Sequence, residues 1–154
     1  DRPLARRKVP QRPRGLQRIH LTMLTLRKAA VTDAEFWERL GKIPPKSGEA
    51  LVISDGAQSV GVLHYTLLWG ELPFLNLLFI CGDKRGEGYG KGALAAWENM
   101  LRAAGYTTAL LSTRADENGQ YFFGRCGYTA CGALDMRGFT APQEAAELFF
   151  YKNL

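Results

Sequence analysis

Apolar and polar positions alternate along most of this chain, and the alternation breaks in three places into helical spacing. Leu24-Thr25-Leu26-Arg27-Lys28 alternates and predicts a first strand. Phe36, Trp37 and Leu40 then share one side of a helix that Gly41 ends. Just before them, Thr32-Asp33-Ala34-Glu35 reads as a capping box, with the threonine accepting from the third helical N–H and Glu35 reaching back. Lys42 to Glu49, with Pro44-Pro45 and Ser47-Gly48, reads as a connecting loop. Ala50 to Ser54 and Ser59 to Trp69 are predicted strands, joined through the hairpin signal Asp55-Gly56. Trp69-Gly70-Glu71-Leu72-Pro73 turns the chain into an apolar run, Phe74 to Cys81, expected to be a strand buried on both faces. Leu94, Trp97, Met100, Leu101 and Ala104 mark the core side of a helix from Lys91 to Ala104, with Gly105 as its C-cap. Thr107 to Thr113 is a further strand, 116–127 a short helix ending at Gly127, and Tyr128 to Cys131 and Glu147 to Lys152 the last two strands.

The chemistry is concentrated between the central strand and the long helix, in Arg85-Gly86-Glu87-Gly88-Tyr89-Gly90. Glycines let the backbone bend tightly and gather several N–H groups near one point. The helix behind adds unpaired N–H groups and the positive end of its dipole, so the turn predicts a phosphate cradle, with Arg85 and Lys91 as countercharge. A P-loop is excluded: Arg85 stands where its first glycine should be, and Gly92 where the magnesium-binding hydroxyl should be. A dinucleotide fingerprint fails too, because Lys91 or Ala93 occupies the third glycine slot. Strand, loop, helix and strand in that order imply a right-handed crossover and parallel neighbours, with a ligand at their carboxyl ends.

Bulk properties bound the answer further. A chain of 154 residues with 46% hydrophobic and 23% charged residues is expected to form one core, with no apolar stretch long enough to span a bilayer. The formal charge of +5 is uneven: residues 1–22 carry +6, leaving −1 for the rest. Residues 1–22 are therefore read as a basic extension outside the core, and 23–154 as a single domain. The extension has no aromatic residue to stack on bases and no apolar core of a secretory signal, so neither nucleic acid nor membrane is an expected partner, and the expected location is cytoplasmic. Cys81, Cys126 and Cys131 are read as buried free thiols, and with only His20 and His64 besides no metal site is expected. His64, inside a strand at the parity of Val60 and Val62, is read as structural. Asn76, an amide within an apolar run, needs partners and either ties strands together or contacts a ligand.

Arg85-x-x-Gly88-x-Gly90 matches Arg/Gln-x-x-Gly-x-Gly/Ala and resembles the acetyl-CoA pyrophosphate loop of the Gcn5-related N-acetyltransferases (GNAT family). Phe122-Phe123-Gly124-Arg125-Cys126-Gly127-Tyr128 resembles that family's second motif, Phe-Tyr-x-x-x-Gly-Phe, in the right order and on a helix after the fifth strand. The resemblance covers about residues 24–152 and implies an α/β (α+β) fold. Its sheet is mixed, twisted and mostly antiparallel, with a parallel central strand pair splayed around acetyl-CoA and helices on both faces.

By the same resemblance, acetyl-CoA is the cosubstrate, and backbone groups of Leu78, Phe79 and Ile80 pair with its pantetheine amides as an added strand would. Arg85, Gly86, Glu87, Gly88, Tyr89, Gly90 and Lys91 would hold the pyrophosphate, and Thr113, Asn118, Phe123 and Arg125 would flank the cofactor from the other side. The implied reaction is transfer of an acetyl group to a primary amine of a small molecule or peptide. The family's tyrosine, implied to protonate the departing thiolate, is replaced here by Phe123, which leaves Tyr121, Tyr128 or water as donor. Glu71, near the start of the central strand, is the expected base for the acceptor amine. The 42–49 loop is read as a plain connection, with a border of the acceptor pocket as the alternative. A non-catalytic acyl-CoA sensor and an RNA-associated protein using the basic arm are the competing readings, and a homodimer is compatible with all of them.

Overall fold

A computed structural model describes residues 24–30, 33–42 and 44–154. The basic segment 1–22 and Thr32, on which the capping box turns, lie outside the described residues. The described chain forms strands β1 (Leu24–Lys28), β2 (Glu49–Asp55), β3 (Gln58–Leu68), β4 (Leu72–Ile80), β5 (Thr108–Arg114), β6 (Thr129–Leu134) and β7 (Glu147–Asn153). Helices are α1 (Ala34–Arg39), α2 (Tyr89–Ala103) and α3 (Gly119–Arg125). The strands make one seven-stranded sheet in the order β1-β2-β3-β4-β5-β7-β6, antiparallel throughout except for the β4/β5 pair.

Side chains alternate across each strand, so each face of the sheet gathers its own core. Leu94, Trp97 and Leu101 of α2 pack on Leu51, Ile53, Val60, Leu63, Leu75 and Leu111. Phe36 and Trp37 of α1 pack on Val52 and Val62 from the other face. Val60 and Val62 thus lie on opposite faces, contrary to the parity read from the sequence. The β2–β3 register slips there, with Ile53 opposite Gly61 and Ser54 opposite Ser59, so Val60 is an extra residue. His64 is buried, and its Nε2 lies 2.6 Å from the Ser47 carbonyl, which fastens the preceding connection to β3.

Two other expectations change. β4 is not buried on both faces: Pro73 and Leu75 are, but residues from Asn76 onward are half-buried or exposed. The thiols are free, yet Cys131 is exposed because β6 is an edge strand with all six residues exposed, and Cys81 and Cys126 are only half-buried.

Asp33 caps no N–H of α1 with its side chain. Its carboxylate instead takes both Arg27 nitrogens at 2.7 and 2.8 Å and the Ala30 N–H at 2.7 Å. The Arg27 hydrogen bonds, then the Ala30 N–H, hold its pKa down to about 2. A depressed carboxyl stabilises the fold above the unfolded pKa near 4 and ceases to as pH falls through about 2. Arg27 is half exposed, so solvent screening limits the contribution to about 1–2 kcal/mol. Asp33→Asn should therefore lower urea-denaturation stability by about that amount at pH 7, and the gap should close near pH 2; a gap independent of pH would refute the ion pair.

Candidate active site

β4 and β5 pair at only two positions, Phe74 with Leu110 and Leu75 with Leu111. Beyond them β4 stays with β3 as far as Ile80 opposite Gly61, while β5 stays with β7 as far as Arg114 opposite Glu147. Each strand follows its other neighbour, and a wedge opens between them. A bulge accompanies the parting: His64 opposes Leu77 and Tyr65 opposes Leu75, which leaves Asn76 as the extra residue. The Asn76 amide donates to Thr66 Oγ1 at 3.0 Å, so it ties β4 to β3 on the rim of the wedge.

Main-chain groups alternate in direction along a strand. The Cys81 N–H donates to the Val60 carbonyl, and the Phe79 carbonyl crowds the Cα of Gly61, so residues 79 and 81 turn toward β3. Leu78 and Ile80 therefore turn their N–H and C=O groups into the wedge. There the Ile80 carbonyl accepts from Arg85 Nε at 3.0 Å. Of the three residues expected to pair with a pantetheine, Phe79 alone turns its backbone to β3, although its side chain lines the glycine-loop hollow with Leu78 and Ile80. Its ring instead lies 5.0 Å beneath the Arg85 guanidinium.

At the open end of β4 the chain makes a 3-10 turn, Gly82–Lys84, and then the glycine loop. Gly86 and Gly88 have φ of +79° and +86°, a left-handed conformation that side chains other than glycine's resist. Gly88 is the N-cap of α2, and the first helical bond runs from the Gly92 N–H to the Gly88 carbonyl at 3.0 Å. The N–H groups of Gly90 and Lys91 precede that bond and lack intrahelical acceptors, as at any helix start. They border a hollow of about 720 Å³ that Leu78, Ile80, Lys84, Arg85, Lys91 and Arg125 also line.

Tyr89 contributes only its backbone there. Its ring is buried, and its hydroxyl donates to Asp55 in the β2–β3 hairpin. That hydrogen bond, with burial second, pushes its pKa up to about 12. The tyrosine pins the start of α2 and is not a ligand side chain. Glu87 is exposed and lines neither hollow, although Gly86 and Gly88 on either side of it line the first.

A second hollow, of about 730 Å³, opens where β5 leaves β4 and shares Leu78, Arg85, Phe122 and Arg125 with the first. Thr113, Asn118, Phe123 and Arg125, predicted to flank the cofactor, all line it. Thr113 is buried under the first turn of α3, so close that a Cβ on Gly119 would stand 2.5 Å from its hydroxyl.

Both groups expected to move protons lie elsewhere. Glu71 is in the exposed turn before β4, at the opposite end of that strand from the glycine loop. Six residues of strand, 72–77, lie between it and Leu78, a span of roughly 23 Å at the usual rise, and it lines neither hollow. Tyr121 is 61% exposed on the outer side of α3 and lines neither hollow. Tyr128 is buried in the core against Phe123, where burial first and the Glu98 carboxylate next push its pKa up. Cys126 and Lys84 line the first hollow although the sequence did not single them out for it, and burial pushes the Cys126 thiol up. The 42–49 loop borders a separate hollow through Ser47, Gly48 and Glu49. Among the described residues no cluster of His, Cys, Asp and Glu could hold a metal ion, and no helix is long and apolar enough to cross a membrane.

The fold as a whole has counterparts among solved structures. An acetyltransferase from Salmonella typhimurium that modifies the N-terminal serine of ribosomal protein L7/L12 superposes with a TM-score of 0.73 at 12% identity, over 86% of this chain and 96% of that one. The fold is that of the GNAT acetyltransferases. Spermidine N-acetyltransferase SpeG from Vibrio cholerae, in complex with CoA and spermine, matches it with a TM-score of 0.71 at 14% identity, over 86% of this chain and 96% of that one. A GNAT family acetyltransferase from Elizabethkingia anophelis with acetyl-CoA bound gives 0.68 at 12% identity, over 86% and 99%. No sequence model of a known family matches the chain, and no curated protein does. The GNAT fold is thus carried here by topology and by two short motifs. Among the residues lining the second hollow, Ser112, Gln143 and Glu147 are ones the sequence did not single out. The one available signal was a carboxylate opening the otherwise apolar strand Glu147-Leu-Phe-Phe-Tyr.

Proposed function

We propose that this protein is an acetyl-CoA-dependent N-acetyltransferase that moves the acetyl group to a primary amine by direct attack in a ternary complex. The observation that carries the reading is the wedge between β4 and β5 ending at the glycine-capped N-terminus of α2. In that reading the diphosphate sits on the N–H groups of Gly90 and Lys91, flanked by Lys84, Arg85 and Lys91, and the pantetheine arm lies along Leu78 and Ile80. The structural neighbours that hold CoA or acetyl-CoA support it. A lysine-like amine, with a pKa of about 10.4, is neutral in on the order of one molecule in 2,000 at pH 7. Holding that fraction against the thioester contributes up to about 7–11 kcal/mol in favourable cases. The nitrogen lone pair forms the C–N bond, the C–S bond breaks, and its electron pair leaves on sulfur. A thiolate whose conjugate acid has a pKa of about 8.5 departs readily near neutral pH. A chain with Phe122 and Phe123 at the cleft therefore needs no tyrosine proton, and water completes the thiol.

Calorimetric titration with acetyl-CoA, followed by thiol-release screening against a panel of primary amines, tests the reading. Binding with amine-dependent release of CoA is the expected result. Absence of binding at millimolar acetyl-CoA by folded protein would overturn it, and binding without release over the panel would favour a sensor. Residues 23–154 should suffice: deleting 1–22 is expected to leave affinity and turnover within about twofold, a difference of ~0.4 kcal/mol. Loss of turnover by a folded truncation would instead give the basic arm a role.

A further inference from the structure

The second hollow holds a carboxylate that makes no ion pair among the described residues. On β5 and β7, Ser112 opposes Phe149 and Arg114 opposes Glu147, so Ser112, Arg114 and Glu147 share the sheet face turned away from α2. Ser112 Oγ donates to Glu147 Oε1 at 2.8 Å, and Gln143 Nε2 donates to Oε2 at 2.9 Å. Both donors are neutral. They fix where the carboxylate points without neutralising it. Arg114, the nearest cation by register, is turned to Asp116 at 2.8 Å and Glu117 at 3.7 Å, and acts on Glu147 only as the weakest of its three carboxylate neighbours, without contact. Among the described residues Glu147 has no ion pair. Arg85 and Arg125 on the shared rim also line the glycine-loop hollow, where a bound diphosphate would offset them.

An ionised carboxylate has about four acceptor sites. Two are used here, which leaves two for a donor entering the hollow. We infer that Glu147, clamped by Ser112 and Gln143, is the group that receives the ammonium of the acceptor, and that this hollow selects acceptors that are cationic before they react. The inference rests on the acetyltransferase reading, which supplies the thioester on the other side of the wedge. An ammonium brings three N–H donors, enough to meet both carboxylate oxygens and still point toward the parting strands. It sheds one proton to solvent before attack and a second as the C–N bond forms. One of the two ends on the departing thiolate, so atoms and charge balance.

The test uses the full chain loaded with CoA, titrated with butylammonium chloride and, separately, with 1-butanol of matched size, and followed by ligand-observed NMR. The wild type should bind the ammonium at least tenfold more tightly than the alcohol. Glu147→Gln should remove that preference while changing CoA affinity by less than twofold, and should raise the KM of whichever panel amine turns over by tenfold or more. Ser112→Ala keeps the charge but loosens the clamp, and should raise the same KM about threefold; it decides the matter if the Glu147 variant melts below the assay temperature. A purely structural role would weaken ammonium and alcohol alike. Equal affinity for the two probes in wild-type protein, or an unchanged KM in both folded variants, would overturn the inference while leaving CoA binding, and hence the reading beneath it, intact. A wild type that does not bind CoA would overturn both.

Discussion

Gly88→Trp should weaken acetyl-CoA binding at least a hundredfold without unfolding the protein. Gly88 caps α2 at φ +86°, where a side chain costs about 1–2 kcal/mol. A Cβ built there meets nothing within 4 Å, so the substituent is not expelled by the fold. It projects instead into open space at the mouth of α2, beside the N–H groups of Gly90 and Lys91, where the diphosphate is proposed to rest. A hundredfold change corresponds to ~2.7 kcal/mol, less than the loss of several N–H contacts to a charged group, at 1.5–3 kcal/mol each. Gly88→Ala separates the two effects, because it carries the backbone strain without the bulk. It should lower thermal stability about as much as the tryptophan does, yet cost no more than tenfold in affinity. Gly90→Ala is a further control: its Cβ would sit 3.5 Å from the Phe122 ring, an ordinary contact, inside a helix. Calorimetry on folded Gly88→Trp that returned the wild-type affinity would place the diphosphate elsewhere.

What the sequence made legible was whatever is encoded locally. The alternation at 24–28, the hairpin after β2 and the helical spacing of Leu94, Trp97 and Leu101 each depend on neighbours a few residues apart, and each element appears near its expected bounds. The glycine loop was equally readable, because a bend with positive φ needs glycine itself at 86 and 88. Partnership across the sheet was not. The run 74–81 is apolar enough for a strand buried on both faces, but its second half is left half-open because β5 departs to follow β7. Glu71 and Glu147 show the same limit at the site. One precedes the central strand in sequence and lies at its wrong end. The other is 69 residues from Leu78 in the chain and reaches the cleft only through the antiparallel return of β7 beside β5. Tyr121 fails for a local reason, since on α3 it stands on the side away from Phe122 and Phe123.

Lys152→Ala should be among the most destabilising single changes in the chain. The Lys152 ammonium donates to Glu98 Oε1 at 2.6 Å, to Oε2 at 3.2 Å and to the Cys126 carbonyl at 2.9 Å. It thereby joins α2, the end of α3 and β7, and it also lies 5.6 Å from the centre of the Tyr128 ring. Glu98 is only 4% exposed, so removing the lysine leaves a buried carboxylate without its cation. Breaking such a pair from one side costs about 3–5 kcal/mol, and a domain of this size should melt about 10 °C or more lower. The cost comes mainly from the stranded charge, so Glu98→Gln with Lys152→Met should be more stable than Lys152→Ala alone. Urea denaturation of the three proteins measures this, and a loss below ~1 kcal/mol for Lys152→Ala would mean that water reaches Glu98. The effect should extend to the cleft, because Phe122 and Arg125 line it from the same short helix whose end the lysine secures. Acetyl-CoA affinity should therefore fall in Lys152→Ala even below its melting temperature, and recover in the double variant together with stability.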